Sequence, residues 1–243
     1  MQAVQAREIQ TREIQPREVM GELDRQGQPL VLAGQQMLPV TAAFEGLLPD
    51  AGLRRGTVTQ TRGPGATSLA LALLAGCTED GSWVAAVGVQ GLGLEAAGEL
   101  GLALERFLLV DVPVPDQWST AVAAALDGMD AVLVELPRTL ARGGRESEVR
   151  RLQSRLRDRG AVVVLVGASG AFQPDLVLSA SAPSWRGLGT GWGHLRSRCI
   201  PVEVTGRRAA SRPRTGRLWL PDETGQVRLE PAPVVPLCAG AAG

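Results

Sequence analysis

The stretch LPVTAAFEGLLPDAGLRRGTVTQTRGPGATSLALALL, residues Leu38–Leu74, decides the reading of the fold. In its second half a short β-prone run, Thr57–Thr61, ends at Gly63-Pro64-Gly65 and gives way to the apolar run Ala66–Ala75. Glycine and proline supply the backbone angles of a sharp reversal, so the pattern predicts a strand, a tight turn and a buried helix. Upstream, Leu38–Leu53 is predicted as a helix with flanking turns. Downstream the alternation repeats. Strands are expected over Trp83–Val89, Phe107–Val112, Ala131–Leu136 and Ala161–Gly167, and helices over Glu95–Glu105, Trp118–Leu126 and Glu146–Asp158. Apolar strands alternating with helices imply a mostly parallel sheet covered on both faces.

Beyond Asp175 the character changes. Leu176–Ser179 and Ile200–Thr205 read as strands with no long helix between them, and Arg217–Leu220 and Gln226–Glu230 flank Pro-Asp-Glu-Thr-Gly as a hairpin. At the other end, the quasi-repeat AREIQ-TREIQ-PREV is broken by Pro16 and reads as a loose tail, followed by a short helix over Glu18–Arg25. Pro231–Gly243 is rich in Pro, Ala and Gly, a composition of disorder. The expected organisation is therefore a tail with a short helix over 1–37, a core over 38–206, and an Arg/Pro-rich extension over 207–243.

Composition narrows the function classes. The chain has 243 residues, 44% hydrophobic and 21% charged, which suits one domain of ordinary size plus tails. No apolar run approaches the roughly 18 residues of a membrane span, and the polar N-terminus lacks the apolar core of a secretory signal. Cys77, Cys199 and Cys238 are odd in number and far apart, which argues against a disulfide framework or a zinc site and for a reducing cytoplasm. All 25 basic residues are arginine. Lysine, tyrosine and asparagine are absent together, as codon bias in a GC-rich genome would produce. Any mechanism that needs a lysine is thereby excluded. Net charge is zero, yet between Trp185 and Arg217 eight arginines (Arg186, Arg196, Arg198, Arg207, Arg208, Arg212, Arg214, Arg217) face one acid, Glu203.

The Leu38–Leu74 stretch resembles the start of the RecA core. There a helix and a glycine-rich turn lead into a strand of the form G-x-[IV]-x-x-x-x-G-P, then into the phosphate loop and its helix. Arg55-Gly56-Thr57-Val58 and Gly63-Pro64 fit that frame, and the order of elements fits through about Val204, with Glu99-Leu100-Gly101 at a helix end. The resemblance implies an α/β class: a RecA-like, mostly parallel sheet flanked by helices, with a small C-terminal β-rich extension.

The family's chemical positions can then be read residue by residue. A working phosphate loop is G-x-x-x-x-G-K-[ST]; its length lets backbone N–H groups wrap the phosphates and its lysine reaches the β- and γ-phosphates. Here Gly63, Pro64, Gly65, Ala66, Thr67 and Ser68 form a degenerate loop, three residues short, with Ala66 where lysine should stand. Val89 falls at the position of the general-base glutamate. Glu135 keeps an acid at the Walker B-like position, and the γ-phosphate-sensing glutamine maps near Gly167 or Ala168. ATP hydrolysis is not expected, nor a catalytic residue, a bound cofactor or a metal. The two DNA-binding loops of the family are also shortened, to Pro137–Arg145 and Ala168–Pro174.

This pattern resembles the ImuA-type accessory proteins of bacterial damage-inducible mutagenesis cassettes, in their RecA-like actinobacterial form. PDLVLSASAPSW and GHLRSRCIPVEVTGRR look like that family's tail. The resemblance implies a non-catalytic adaptor in damage-induced translesion synthesis that recruits or bridges an ImuB-like, inactive Y-family polymerase homologue. It also implies contact with RecA-like subunits through the segment before Leu38, and a cytoplasmic protein that joins the nucleoid on DNA damage. The candidate partner-binding residues are Trp185, Arg186, Trp192, Arg196, Arg198, Arg207, Arg208, Arg212, Arg214, Arg217 and Trp219. Three readings of this segment stay open: a solvated tail, a protein-docking surface in which Trp and Arg are the typical anchors, and direct contact with DNA phosphates.

Other signals carry rival readings. A SulA-type division inhibitor shares the fold without a phosphate loop. Gly91-Leu92-Gly93-Leu94-Glu95-Ala96 followed by Asp111 matches a dinucleotide fingerprint. Ser169 follows a strand, but the one histidine, His194, lies in a Gly-Trp-Gly-His loop and gives little ground for a hydrolase.

Overall fold

The computed structural model describes residues 37–141, 145–189, 192–207 and 212–231. The chain divides into two units, Met1–Val31 and Leu32–Gly243, and the fold described belongs to the second. The expectations for the N-terminal quasi-repeat, the helix over Glu18–Arg25 and the C-terminal end after Pro231 lie outside the described residues.

The deciding stretch folds as a strand, a turn and a helix. Strand β3 (Val58–Arg62) enters the turn at Gly63, and helix α2 (Ala66–Glu79) leaves it. Eleven residues of α2, from Ala66 through Thr78, are buried, so this helix is apolar on nearly every side. Ahead of it the expected helix over Leu38–Leu53 is corrected. β1 (Met37–Pro39) and β2 (Gly52–Arg54) pair antiparallel, with Leu38 opposite Leu53, and only Ala42–Glu45 (α1) is helical. Pro39 and Pro49 interrupt the backbone donors a longer helix would need.

β4 (Val84–Val87), β5 (Phe107–Val110), β6 (Ala131–Glu135), β7 (Val162–Val166) and β8 (Leu176–Ala180) complete the parallel part of the sheet, in the spatial order β8-β3-β7-β6-β4-β5. The pleat sorts side chains between two layers. On β7, Val162 and Val164 pack with α2, while Val163 and Leu165 pack with α4 (Trp118–Gly128) and α6 (Glu146–Arg159). Burial on both faces is why this strand reads as an unbroken VVVLV run; each such side chain is worth about 1.5–3 kcal/mol of transfer free energy. Helix α3 (Leu94–Glu99) is shorter than the expected Glu95–Glu105, because Gly101 turns with a positive φ before a 3-10 turn at Leu104–Arg106. Helix α5 (Arg138–Ala141) lies inside the link after β6.

The C-terminal third departs most from expectation. β10 (Trp192–Gly206) is fifteen residues long, not the six of Ile200–Thr205, and it pairs antiparallel with β8, with β11 (Arg214–Trp219) and with β9 (Ser184–Gly189), a strand not read from the sequence. The hairpin is present, with β11 beginning at Arg214 and pairing with β12 (Arg228–Leu229). Its turn is organised by Asp222, whose carboxylate accepts from the Thr224 and Gln226 backbone N–H groups at 2.8 and 3.0 Å, from the Thr224 hydroxyl at 2.7 Å and from Arg228 Nε at 3.2 Å. These strands continue the main sheet, and Ile200, Val202, Val204, Leu218 and Leu220 join the α2-side core. No helix among the described residues is long and apolar enough to cross a membrane.

Candidate functional site

In a parallel α/β sheet, ligands are taken at the carboxyl ends of the strands. Here that edge carries the turn after β3. Gly63 adopts φ 90° and Gly65 φ 80°, and the Ala66 N–H donates to the Gly63 carbonyl at 3.2 Å. The donor is thus spent on closing a tight turn and not aimed outward as a phosphate cradle requires. A side chain on Gly63 would collide with the Ala180 carbonyl oxygen at the end of β8. Over Gly65 lie the Arg198 guanidinium and the Ile200 side chain of β10, 3.3 and 3.4 Å from where a Cβ would stand. Ala66 is buried, and Thr67 and Ser68 are half-buried in the first turn of α2.

The other positions along this edge carry little chemistry. Glu135 ends β6 with its side chain exposed, and its carbonyl accepts the Trp118 indole N–H at 2.9 Å. Val89 packs against the α2-side core. Gly167 turns with φ 78°, and its carbonyl accepts from Gln60 Nε2 at 2.6 Å. Gly91 and Gly93 form the turn between β4 and α3, and exposed Asp111 follows β5 at the far edge of the sheet. Among the described residues no three His, Cys, Asp or Glu side chains cluster as a metal site. Cys77 lies inside α2, where burial pushes its thiol up to about 12, so it stays protonated and unreactive at neutral pH.

The arginine/tryptophan segment divides in two. Arg207 donates to Gln173 Oε1, Arg214 to the Leu48 carbonyl, and Arg217 pairs with Glu230 at 2.7 Å, so these three are tied into the fold. Trp219 is buried, 5% exposed, beneath the Arg186 guanidinium 4.5 Å from its ring. Arg212 is exposed, and Arg208 lies outside the described residues. The rest stand on the β9–β10 ribbon, which runs past the carboxyl end of β8. Trp192 is 77% exposed, Trp185 48% and Leu195 49%. Arg198 Nε donates to the Leu220 carbonyl at 2.9 Å and its guanidinium stacks on Trp185 at 5.3 Å; burial lowers its pKa from the ordinary arginine value. His194, on the same ribbon, is exposed. The sequence signal for the ribbon was hidden by Gly187, Gly189, Gly191 and Gly193, which dilute strand alternation.

A RecA-like fold with a closed, lysine-free turn after its first core strand is the class this geometry defines. Its likeness to the crystal structure of the RadB recombinase has a TM-score of 0.58 at 16% identity, covering 79% of this chain and 99% of that one; the likeness is one of fold. The chain belongs to the MT3502 N-terminal domain family, whose model matches residues 46–171. It is also 30% identical over 152 residues to the uncharacterized protein Rv3395c of Mycobacterium tuberculosis (strain ATCC 25618 / H37Rv), a match spanning 59% of this chain and 70% of that protein.

Proposed function

We propose that this protein is a non-hydrolysing RecA-like adaptor in damage-induced, error-prone DNA synthesis. The observation that carries the non-hydrolysing part is the β3–α2 turn. Its Ala66 N–H is used internally, the end of β8 abuts Gly63, Arg198 and Ile200 cover Gly65, and no lysine exists to hold a γ-phosphate. The partner part rests on the resemblance to ImuA-type proteins. On that reading the C-terminal third, roughly Trp185–Trp219, docks an ImuB-like, inactive Y-family polymerase homologue, and the segment before Leu38 meets a RecA-like subunit. The rigid sheet acts as the platform.

The test is nucleotide binding by the full chain, with fluorescent ATP and Mg²⁺ in one titration and NADH in a parallel one, followed by co-purification with the polymerase homologue. The expected outcome is no saturable binding of either nucleotide and stable capture of the partner. Micromolar ATP binding would replace this reading with a nucleotide-switched one. Binding of NADH alone, lost in Asp111→Ala, would move the function to the Gly91–Asp111 turn.

A further inference from the structure

We propose that the β9–β10 ribbon is a binding arm for a single strand of nucleic acid, with Trp192 as a base-stacking platform and exposed Arg196 as its phosphate contact. Residues 184–200 hold three arginines, two tryptophans and a histidine, and no acid. Among the described residues no carboxylate pairs with Arg196 or Arg198, and Arg186 has only a loose, exposed contact with Glu223 at 3.8 Å. A segment with cations and no acid of its own is complementary to a polyanion. Arginine adds bidentate recognition of phosphate.

Side-chain spacing points to a single strand. Trp185 and Arg198 are directly opposite on one face of the ribbon, and Arg186 lies opposite Ser197 on the other. The Trp185–Arg198 face thus sets an indole beside a guanidinium, while Arg186 sits over Trp219 on the other face; aromatic and cationic groups side by side let bases stack while phosphates are held alongside. Trp192 is the most exposed large apolar side chain among the described residues. A duplex has no free base face to offer it. The main-chain edge of the arm is a poor template for an added peptide strand, since the β9–β10 register shifts between Gly193 and Ser197, and bulges blunt edges. Gly187, at φ 108°, sets this geometry; a side chain there would run into the His194 carbonyl oxygen. Recognition thus falls to the side chains. The inference goes beyond the adaptor reading; because the arm lies inside the Trp185–Trp219 segment of that reading, oligonucleotide binding and capture of the polymerase homologue are read separately.

The experiment is fluorescence anisotropy of the full chain with labelled oligothymidylate of about twenty nucleotides, longer than the ~4–16 nucleotides that an OB-fold covers, and with the same strand in duplex form, over a salt series. The expected result is preference for the single strand. Trp192→Ala should weaken binding roughly 5- to 150-fold, the equivalent of one lost stacking contact. Arg196→Gln should lower the slope of log affinity against log salt by about 0.7. Arg150→Gln, on the solvent face of α6, should change neither, and unaltered melting curves for Trp192→Ala would show the fold intact. Absence of binding at low salt overturns the proposal. So does equal binding of the duplex, or binding that ignores both arm substitutions. Loss of polymerase-homologue capture in these variants with oligonucleotide binding at full strength would instead make the arm a protein-docking face.

Discussion

At Gly63 the absence of a side chain decides what the turn can be. Its positive φ and its approach to the Ala180 carbonyl oxygen leave no room for Cβ, so Gly63→Ala is expected to destabilise the protein by about 2 kcal/mol or more. At roughly 2–4 °C per kcal/mol for a chain of this size, thermal unfolding should register a drop of several degrees. Ala66 poses a complementary question. Ala66→Lys restores the missing residue type but not the loop length, and the Ala66 N–H remains committed to Gly63. No ATP binding or hydrolysis should appear in that variant; a measurable turnover would show that length is dispensable.

The β11–β12 hairpin depends on one ionised carboxylate. Hydrogen bonds led by the Thr224 hydroxyl hold Asp222 at about 2, against an ordinary value near 3.8. Because the folded value is depressed, the contribution to stability is present above the unfolded pKa and drains away as pH falls from roughly 4 towards 2. Asp222→Asn should therefore lower the melting temperature near neutral pH and flatten its dependence on pH across that window. A variant whose acid profile matches the parent would remove Asp222 as the source. The same logic of local partners separates Arg207, Arg214 and Arg217 from the arm: their neighbours hold them to the sheet, whereas Arg196 and Trp192 face solvent.

Across the whole molecule, the C-terminal third is part of the core. Ile200, Val202, Val204, Leu218 and Leu220 are all at most 2% exposed and pack with α2. Truncation after Pro183 strips these from the sheet and bares the outer edge of β8. The truncated chain is expected to lose its cooperative melting transition and to bind a hydrophobic dye, where Trp192→Ala does neither. A cooperative transition near the parent's temperature would mean that the parallel strands suffice alone.

Local chemistry made the parallel half of the sheet legible. Thr57–Thr61 before Gly63-Pro64-Gly65, and the doubly buried Val162–Val166, carry their burial in their own composition, because strands covered on both faces are apolar throughout. The missing lysine was equally plain. By itself the sequence determined the fold class and the absence of any lysine. It did not show that β8 and β10 close over the turn, that Leu38–Leu53 pairs as β1 and β2, or that Arg207, Arg214 and Arg217 are tied into the fold while Arg196 stands exposed on the ribbon. Those depend on pairings between segments far apart in the chain, such as Arg198 beside Gly65 and Arg214 reaching Leu48. Periodicity reports which way a residue faces within its own element, and only the tertiary structure decides what it meets there.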